Sequence, residues 1–241
     1  MEDGGQGGWE NGVMRILVTG FEPFGSDQEN ASAEAVARLT PESAGSGVEV
    51  ITTILPVSFA RSGPALEAAV AHARPGAVLA VGEAGGRDAI TPELWGVNCD
   101  HARIADNDGA EPRNQRIDDG PDRRPSGLTP ESLVAAVQGA GLPARLSDDA
   151  GRFVCNHIAY LVAELSGPNG PIPGGFVHVP AVRRSGRPTV GAETDAGADR
   201  DAVRQPAGLT FDDLAHGLAA CVTDIATRLG APSAGSTIPT P

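Results

Sequence analysis

Short apolar runs alternate with helical patterns along most of the chain, and this alternation constrains the fold more than any other feature. The apolar runs predict strands at Arg15–Thr19, Val48–Leu55, Ala77–Val81, Ala144–Ser147 and Gly175–Val179. Apolar residues at helical spacing predict helices near Ala31–Leu39, Pro64–Ala73, Pro130–Ala140, Cys155–Leu165 and Phe211–Leu229. Strands that alternate with helices form a parallel sheet covered on both faces. We therefore predict an α/β protein, a single-domain three-layer α/β/α sandwich around a mainly parallel twisted sheet.

Length and local composition set the predicted domain boundaries. A chain of 241 residues is long enough for one sizeable α/β domain but short for two. Residues 1–12 and 231–241 are rich in Gly, Pro and Ser, so we expect a disordered N-terminal extension and a disordered tail around a domain at 13–230. Residues 183–208 exceed the length of most structureless loops, and we expect a long flexible loop there, either a mobile lid or an insertion.

Charge and cysteine content exclude several classes of function. The formal net charge of −13 argues against nucleic-acid partners, because phosphate binding needs clustered cations. The three cysteines, Cys99, Cys155 and Cys221, are too few for a disulfide framework and favour a reducing compartment. No apolar run approaches the ~18 residues of a membrane span, and the first residues lack the features of a signal peptide. We therefore expect a cytoplasmic protein with no membrane partner.

One of these cysteines stands where a loop gives way to a helix. Ala150-Gly151 indicates a turn, and the residues after Cys155 carry apolar side chains at helical spacing. Unpaired N–H groups and the positive end of the helix dipole favour a thiolate there, and such sites lower a cysteine pKa from ~8.5 into roughly the 3.5–7.5 range. Cys155 is thus a candidate nucleophile, although a lone cysteine is more commonly a small buried core residue.

Two further segments supply the partners that a nucleophilic thiol needs. His178 lies at the end of a predicted buried strand that Pro180 stops, and Glu93 lies in the loop beyond the strand Ala77–Val81. A thiol, an imidazole and an orienting carboxylate are the nucleophile, base and tautomer-fixing group of a thiol hydrolase. Spacing alone leaves open that the histidine is a hydrogen-bonded core residue and that the glutamate is solvated.

Two kinds of cofactor site have weaker support. A zinc site at Cys155, His157 and His178 would lack the paired ligand spacing typical of zinc proteins. The opening strand and Gly20 resemble the start of a dinucleotide-binding motif, but the glycines stop at Gly25 and the third one is absent. We expect no metal and no cofactor.

Six segments of the chain carry a family resemblance when they are taken in order. They are Ile16–Gly25, Asn30, Ala89–Glu93, Asp100–Ile104, Phe153–His157 and Phe176–Pro180. Together they resemble the motifs of pyrrolidone-carboxylate peptidases, also called pyroglutamyl peptidases type I, from about Met14 to Val182 and again in the last helix. The resemblance implies a cysteine peptidase that removes N-terminal pyroglutamyl residues from peptides through a thioester acyl-enzyme. It also implies an α/β/α sandwich and, as in many prokaryotic members, a possible homotetramer.

The same resemblance assigns roles to individual residues. Cys155, His178 and Glu93 fall on the nucleophile, the base and the orienting acid, with the thiolate held as an ion pair with the imidazole. Arg103 falls at the edge of the active site, where it would stabilise the charge of acyl transfer. Its alternative is a surface ion pair with Asp100 or Asp106.

The pyroglutamyl ring is a flat, uncharged lactam, so its site needs apolar walls and a few polar groups at the edge. Phe21 and Phe24 follow the first strand and Phe153 precedes the nucleophile, so these rings are suited to form the walls. The resemblance adds three further substrate-binding positions, which are Asn30, Glu83 and Val154. The alternative for the rings is an ordinary role in the core.

Several positions depart from the family pattern. Glu83 stands where the family usually has glutamine, and His101, Asp148-Asp149 and Arg152 are further departures. An extra buried carboxylate must be neutralised or paired, and we expect Arg87 or Arg103 as the cation that pairs with Glu83. The departures keep one alternative open, a catalytically altered or inactive member that acts as a binding or interaction protein.

Overall fold

A computed structural model of the protein describes residues 9–10, 13–40, 47–166, 171–185 and 208–231. The prediction for residues 232–241 and most of the prediction for the 183–208 loop lie outside the described residues. Within the segment expected to be a disordered extension, Trp9–Glu10 instead form a short strand, because their backbones pair antiparallel with the residues that open the domain.

The described ranges contain eight strands and five helices. The strands are β1 (Trp9–Glu10), β2 (Val13–Phe21), β3 (Val48–Leu55), β4 (Ala77–Ala84), β5 (Thr91–Pro92), β6 (Trp95–Val97), β7 (Arg123–Pro125) and β8 (Gly174–Pro180). The helices are α1 (Ala31–Val36), α2 (Ser62–Ala73), α3 (Pro130–Gly139), α4 (Val154–Glu164) and α5 (Phe211–Arg228).

The central sheet is mainly parallel, as predicted. Strand β2 pairs in parallel with β3 on one side and β4 on the other, and β4 pairs in parallel with β8. Two short strands, β1 and β5, pair antiparallel with β2 and β8. Strands β6 and β7 form a separate antiparallel pair that packs on α4. The carboxyl ends of β2, β4 and β8 therefore meet at one edge of the sheet, where sites of α/β proteins lie.

Helices cover both faces of this sheet and bury two apolar clusters. Alternation along β4 sends Leu79 to the cluster that contains α1, α3 and α5, and Val78 to the cluster that contains α2 and α4. This arrangement is the predicted three-layer sandwich. Cys221 is fully buried in the first cluster, so it is a core residue. None of the described helices is both long and apolar enough to cross a membrane.

The predicted strand Ala144–Ser147 is only partly present. Its residues run parallel to the segment that contains β5, but they form two isolated bridges, Ile90 with Ala144 and Glu93 with Ser147. Pro92 lies between these bridges and has no N–H to donate, so the ladder is interrupted at its centre. The segment thus occupies the expected sheet edge without forming a continuous strand.

Candidate active site

The candidate nucleophile lies in the first turn of α4. Phe153 is the N-cap with an extended backbone, and Cys155 is the second helical residue, which confirms the helix start predicted around it. The fully buried Asn156 anchors this turn, because its amide bonds to the backbone of Val97 at 2.9 Å in both directions and to the Cys99 carbonyl at 3.0 Å. The first N–H groups of a helix lack intrahelical partners, so they are available to an anionic oxygen.

The thiol of Cys155 lies over a glycine of the central sheet. A Cβ atom built on Gly82 would be 2.8 Å from the Cys155 sulfur and 2.7 Å from the Phe176 ring. Gly82 of β4 is the register partner of His178 of β8, and partners on parallel strands share a face. The structure therefore brings Cys155 and His178 to the same face of the sheet, next to a position without a side chain.

His178 is held by the predicted carboxylate. Its Nδ1 atom is 2.7 Å from Oε1 of Glu93, and both side chains are almost completely buried. Strand β5 produces this contact, because Thr91 pairs with His178 and the Glu93 N–H donates to the Phe176 carbonyl. An ionised carboxylate only accepts hydrogen bonds, so Nδ1 is the donor and Nε2 of the neutral imidazole accepts.

Arg87 joins the same carboxylate. Its Nη1 atom is 2.8 Å from Oε1 of Glu93, the oxygen that also meets His178. The expectation that Arg87 pairs with Glu83 is wrong, because the loop after β4 turns this arginine towards the end of β5. Burial disfavours the charged form of Glu93, but the hydrogen bond from His178 and the charges of His178 and Arg87 outweigh it and lower the pKa of this carboxyl.

Burial also controls the protonation of the thiol and the imidazole. Desolvation, together with the negative charges of Glu83 and Glu93, raises the pKa of the Cys155 thiol to about 12. Desolvation and the charge of Arg87 lower the pKa of His178, against the opposing effect of Glu93. The thiol pKa thus moves in the opposite direction to the one predicted from the helix dipole, because the cost of burying a thiolate is larger. Both shifts favour a neutral thiol and a neutral imidazole in the resting pair.

Aromatic rings adjoin the thiol on the α4 face. Phe153 packs on Phe24 with ring centroids 5.1 Å apart and edge-on against Phe59 at 5.2 Å. Phe21 packs on Phe176 at 6.4 Å. Phe59 and Phe176 were not assigned to the site from the sequence. Phe59 lies just beyond the carboxyl end of β3, and Phe176 lies within β8 two residues before His178, on the same face of the sheet.

The predicted pocket residues differ in burial. Phe21, Phe24 and Val154 are buried within the cluster between the sheet and α2 and α4, so they also serve the core. Phe153 keeps a partly exposed ring beside Cys155. The two interpretations of these side chains, as core residues and as pocket walls, are therefore compatible.

Asn30 and Glu83 make internal contacts on the α1 side of the sheet. Asn30 caps α1, with its Oδ1 atom accepting from the backbone and hydroxyl of Ser32 and its amide donating to the Glu22 carbonyl. Glu83 follows Gly82 in β4, so its side chain points to the opposite face, where it accepts the Ala31 N–H. Neither side chain faces Cys155.

The cation that pairs with Glu83 is Arg183 rather than Arg87 or Arg103. Both Arg183 Nη atoms lie 2.7 Å from the two carboxylate oxygens of Glu83, and the same guanidinium contacts Asp27. Register explains this partner, because Val179 of β8 pairs with Glu83 and Arg183 follows shortly after that strand. Burial raises the pKa of Glu83, while Arg183 opposes the shift.

Arg103 is exposed and forms no ion pair with any residue that the structure describes. Its expected partners are occupied, because Asp100 contacts His157 Nδ1 at 2.8 Å and Asp106 accepts backbone N–H groups, including that of Phe59. The Nδ1 atom of His157 is therefore paired with Asp100, so this atom is already occupied and is not free to bind zinc together with Cys155 and His178. Among the described residues, no three His, Cys, Asp or Glu side chains are grouped to hold a metal ion.

Known proteins share both the sequence and the fold of this chain. A family model described as pyroglutamyl peptidase matches residues 14–197. The chain is 38% identical over 198 residues to the pyrrolidone-carboxylate peptidase of Levilactobacillus brevis, which covers 79% of this chain and 96% of that protein. It is 40% identical over 189 residues to the pyrrolidone-carboxylate peptidase of Yersinia pestis (strain Pestoides F), with coverage of 76% and 87%.

Solved structures give the same result. The pyroglutamyl peptidase I of Bacillus amyloliquefaciens is similar with a TM-score of 0.75 at 32% identity, covering 88% of this chain and 97% of that one. The pyrrolidone carboxyl peptidase of Thermococcus litoralis is similar with a TM-score of 0.77 at 26% identity, covering 94% and 99%.

Proposed function

The chain belongs to the pyroglutamyl peptidase family and is a cysteine peptidase that removes N-terminal pyroglutamate from peptides, and from this premise we propose which residues perform the reaction. Cys155 is the nucleophile, His178 is the general base and acid, and Glu93 orients the imidazole. The relatives favour this activity over the alternative of an inactive member retained for binding. One observation carries the assignment: the Cys155 sulfur lies over Gly82, the register partner of the histidine that Glu93 holds at 2.7 Å.

Acylation begins from the neutral pair. His178 Nε2 takes the proton of the Cys155 thiol as the sulfur attacks the carbonyl carbon that joins the pyroglutamyl ring to the next residue. The proton transfer avoids a free buried thiolate, which the surroundings of Cys155 disfavour. The negative charge that develops on the carbonyl oxygen is stabilised by the N–H groups at the start of α4. Glu93 stabilises the imidazolium that forms.

The end of acylation and the deacylation that follows it reuse the same groups. The His178 imidazolium gives its proton to the leaving amine, and the carbon–nitrogen bond breaks to leave a thioester on Cys155. A water molecule then gives a proton to His178 as it attacks the thioester carbonyl. The second tetrahedral intermediate collapses, the carbon–sulfur bond breaks, and the sulfur recovers its proton as free pyroglutamate leaves.

Apolar walls beside the thiol support recognition of the flat lactam ring. We propose that Phe24 and Phe153 contact the ring, with Phe21 and Val154 behind them in the core. Asn30 and Glu83 contribute indirectly, because their polar atoms are used to hold α1 and the end of β4. Arg103, whose side chain is exposed, is proposed to act at the rim of the site, on the peptide portion beyond the ring.

Assembly and location are further parts of the proposal. The three free cysteines support a reducing compartment such as the cytoplasm. The homotetramer is proposed from the family resemblance. Light scattering on the eluting peak of a size-exclusion column tests it, and a mass equal to one or two chains would contradict it.

The activity is tested with an N-terminal pyroglutamyl amide that carries a fluorescent leaving group. The wild-type protein is expected to hydrolyse it and to leave the matched prolyl amide intact, since the prolyl ring lacks the lactam carbonyl. Cys155→Ala and Cys155→Ser are expected to lose essentially all turnover, whereas Cys99→Ser stays active. Turnover by Cys155→Ala equal to wild type would reject the proposed nucleophile.

A further inference from the structure

Arg87 lies in the loop after β4, where its guanidinium contacts three parts of the site. Nη1 meets Oε1 of Glu93 at 2.8 Å and also contacts the Thr91 hydroxyl. Nη2 donates to the backbone carbonyl of Asp149 at 2.8 Å. Asp149 belongs to the loop that leads into α4. Arg87 therefore ties the end of β5, which carries the carboxylate, to the approach of the helix that carries the thiol.

The arginine and the histidine share one oxygen of the carboxylate. Oε1 of Glu93 accepts a hydrogen bond from His178 Nδ1 at 2.7 Å and forms an ion pair with Arg87 Nη1 at 2.8 Å, while Oε2 makes no hydrogen bond within the part of the chain that the structure describes. Both groups thus hold the same oxygen of the carboxylate. The positive charge of Arg87 beside Oε1 also weakens the attraction of Glu93 for the imidazole proton, because it offsets part of the negative charge of the carboxylate.

We propose that Arg87 is a positioning residue of the peptidase, which holds Glu93 against His178 and limits the basicity of the imidazole. The inference rests on the proposed roles of Cys155, His178 and Glu93, and it adds a fourth residue that acts through the third. A base must be neutral in the resting enzyme to accept the thiol proton. The carboxylate alone would favour the imidazolium, and the nearby guanidinium opposes that charge.

The charged groups around the pair define the sign of the effect. Glu93 and Arg87 approach His178 from the loops around β5, and Asp149 approaches from the loop before α4. The charges of Glu93 and Asp149 raise the pKa of His178, whereas the charge of Arg87 lowers it. The Cys155 thiol is affected by Glu83, Arg87 and Glu93, and there too Arg87 is the group that lowers the pKa. Removing its charge therefore raises both pKa values.

The test is the pH profile of kcat/KM for wild type, Arg87→Gln and Arg87→Lys, measured with the pyroglutamyl amide. In Arg87→Gln the acidic limb, which reports the free base, is expected to move to higher pH by about half a unit to one unit, less than the shift from a charge in direct contact. In Arg87→Lys the charge stays but the fork of donors is lost, so kcat is expected to fall about tenfold while the acidic limb stays near the wild-type position.

Arg145→Gln is the matched control, because Arg145 pairs with Asp88 on the protein surface near the same loop. It is expected to keep the wild-type profile. An acidic limb unchanged in folded Arg87→Gln would overturn the proposal, as would full activity of Arg87→Lys. If Arg87→Gln does not fold by circular dichroism, Arg87→Lys decides alone. Failure of the proposed catalytic roles would give a different result, because turnover would then survive in the single variant Cys155→Ala, in which Arg87 is intact.

Discussion

Arg183 and Glu83 form a buried bidentate ion pair, with Nη1 2.7 Å from Oε2 and Nη2 2.7 Å from Oε1. The pair joins the segment after β8 to the end of β4 across 100 residues of sequence. Asp27, from the loop after β2, contacts the same guanidinium, so one cation serves two buried carboxylates. The contact secures the sheet edge behind the face that carries Cys155.

Arg183→Gln is expected to destabilise the protein strongly. The substitution removes the guanidinium that pairs with the buried carboxylate of Glu83, and breaking a buried pair in this way costs about 3–5 kcal/mol in the free energy of unfolding. Arg184→Gln is the matched control, because Arg184 is exposed and solvent screens its ion pairs with Glu29 and Glu34, so their loss should change stability little. Urea denaturation of both variants measures the difference, and equal losses would contradict a special role for Arg183.

Glu83→Gln is expected to change stability with a defined pH dependence. The folded pKa of Glu83 is raised, so its contribution to stability is present below the unfolded value, near ~4.3, and is lost as pH rises through the folded pKa. The wild-type protein should therefore lose stability relative to Glu83→Gln as pH rises from acid to neutral. Urea denaturation at several pH values checks this.

The same variant should be fully active. Glu83 faces away from Cys155 but its charge raises the pKa of the thiol, so kcat/KM is expected to be unchanged or to rise modestly, most of all at high pH. An inactive wild type that Glu83→Gln restores to activity would show that this carboxylate has diverted the chain from the family reaction.

Local patterns were sufficient to predict the layers of the fold and the ends of the strands that carry the site. The apolar run that ends at His178 predicted β8, and the turn before Cys155 predicted the start of α4. The apolar run and the turn each lie within a few residues of the catalytic side chain whose position they predict. The run at Ala77–Val81 predicted β4 but stopped short of its end, because Gly82 and Glu83 are unlike strand residues and are held there by pairing with β8.

Pairing between distant segments could not be predicted in the same way. The partner of Glu83 depends on the register of β4 against β8, and its face depends on the pleat at Gly82. The ion pair between Arg87 and Glu93 likewise depends on the short strand β5, which is too short for an apolar run to predict it. The raised pKa of Cys155 depends on how closely the sheet and its aromatic side chains surround the thiol, which no local pattern reports.

Alkylation of the half-buried Cys155 by iodoacetamide is expected to follow the ionisation of a thiol with a raised pKa. Because burial raises its pKa to about 12, the rate should rise about tenfold per pH unit between about pH 7 and 10, without a plateau. Mass spectrometry of the labelled peptide measures the rate at each cysteine. A constant rate through neutral pH would indicate a resting thiolate–imidazolium pair instead.

His178→Ala and Glu93→Gln should differ in severity. Loss of the base should be as damaging as loss of the thiol, because nucleophile and base act as a unit, whereas Glu93→Gln keeps a hydrogen-bond acceptor for Nδ1 and should retain partial activity. His72→Ala is the control, since His72 is exposed on α2 and far in sequence from the site. Small and equal losses in the first two variants would remove His178 from the chemistry.

Gly82→Ala tests whether the thiol needs the space above the sheet. The new Cβ would lie 2.8 Å from the Cys155 sulfur and 2.7 Å from the Phe176 ring, closer than Cβ atoms approach, so both side chains are expected to shift and to displace the thiol. Because small displacements of reacting groups cost about a hundredfold in rate, we expect kcat to fall by that order. Gly86→Ala, whose Cβ would meet nothing within 4 Å, should keep wild-type activity. Circular dichroism and the alkylation rate of Cys155 show whether the fold and the thiol persist, and wild-type kcat in a folded Gly82→Ala variant would rule out this placement of the nucleophile.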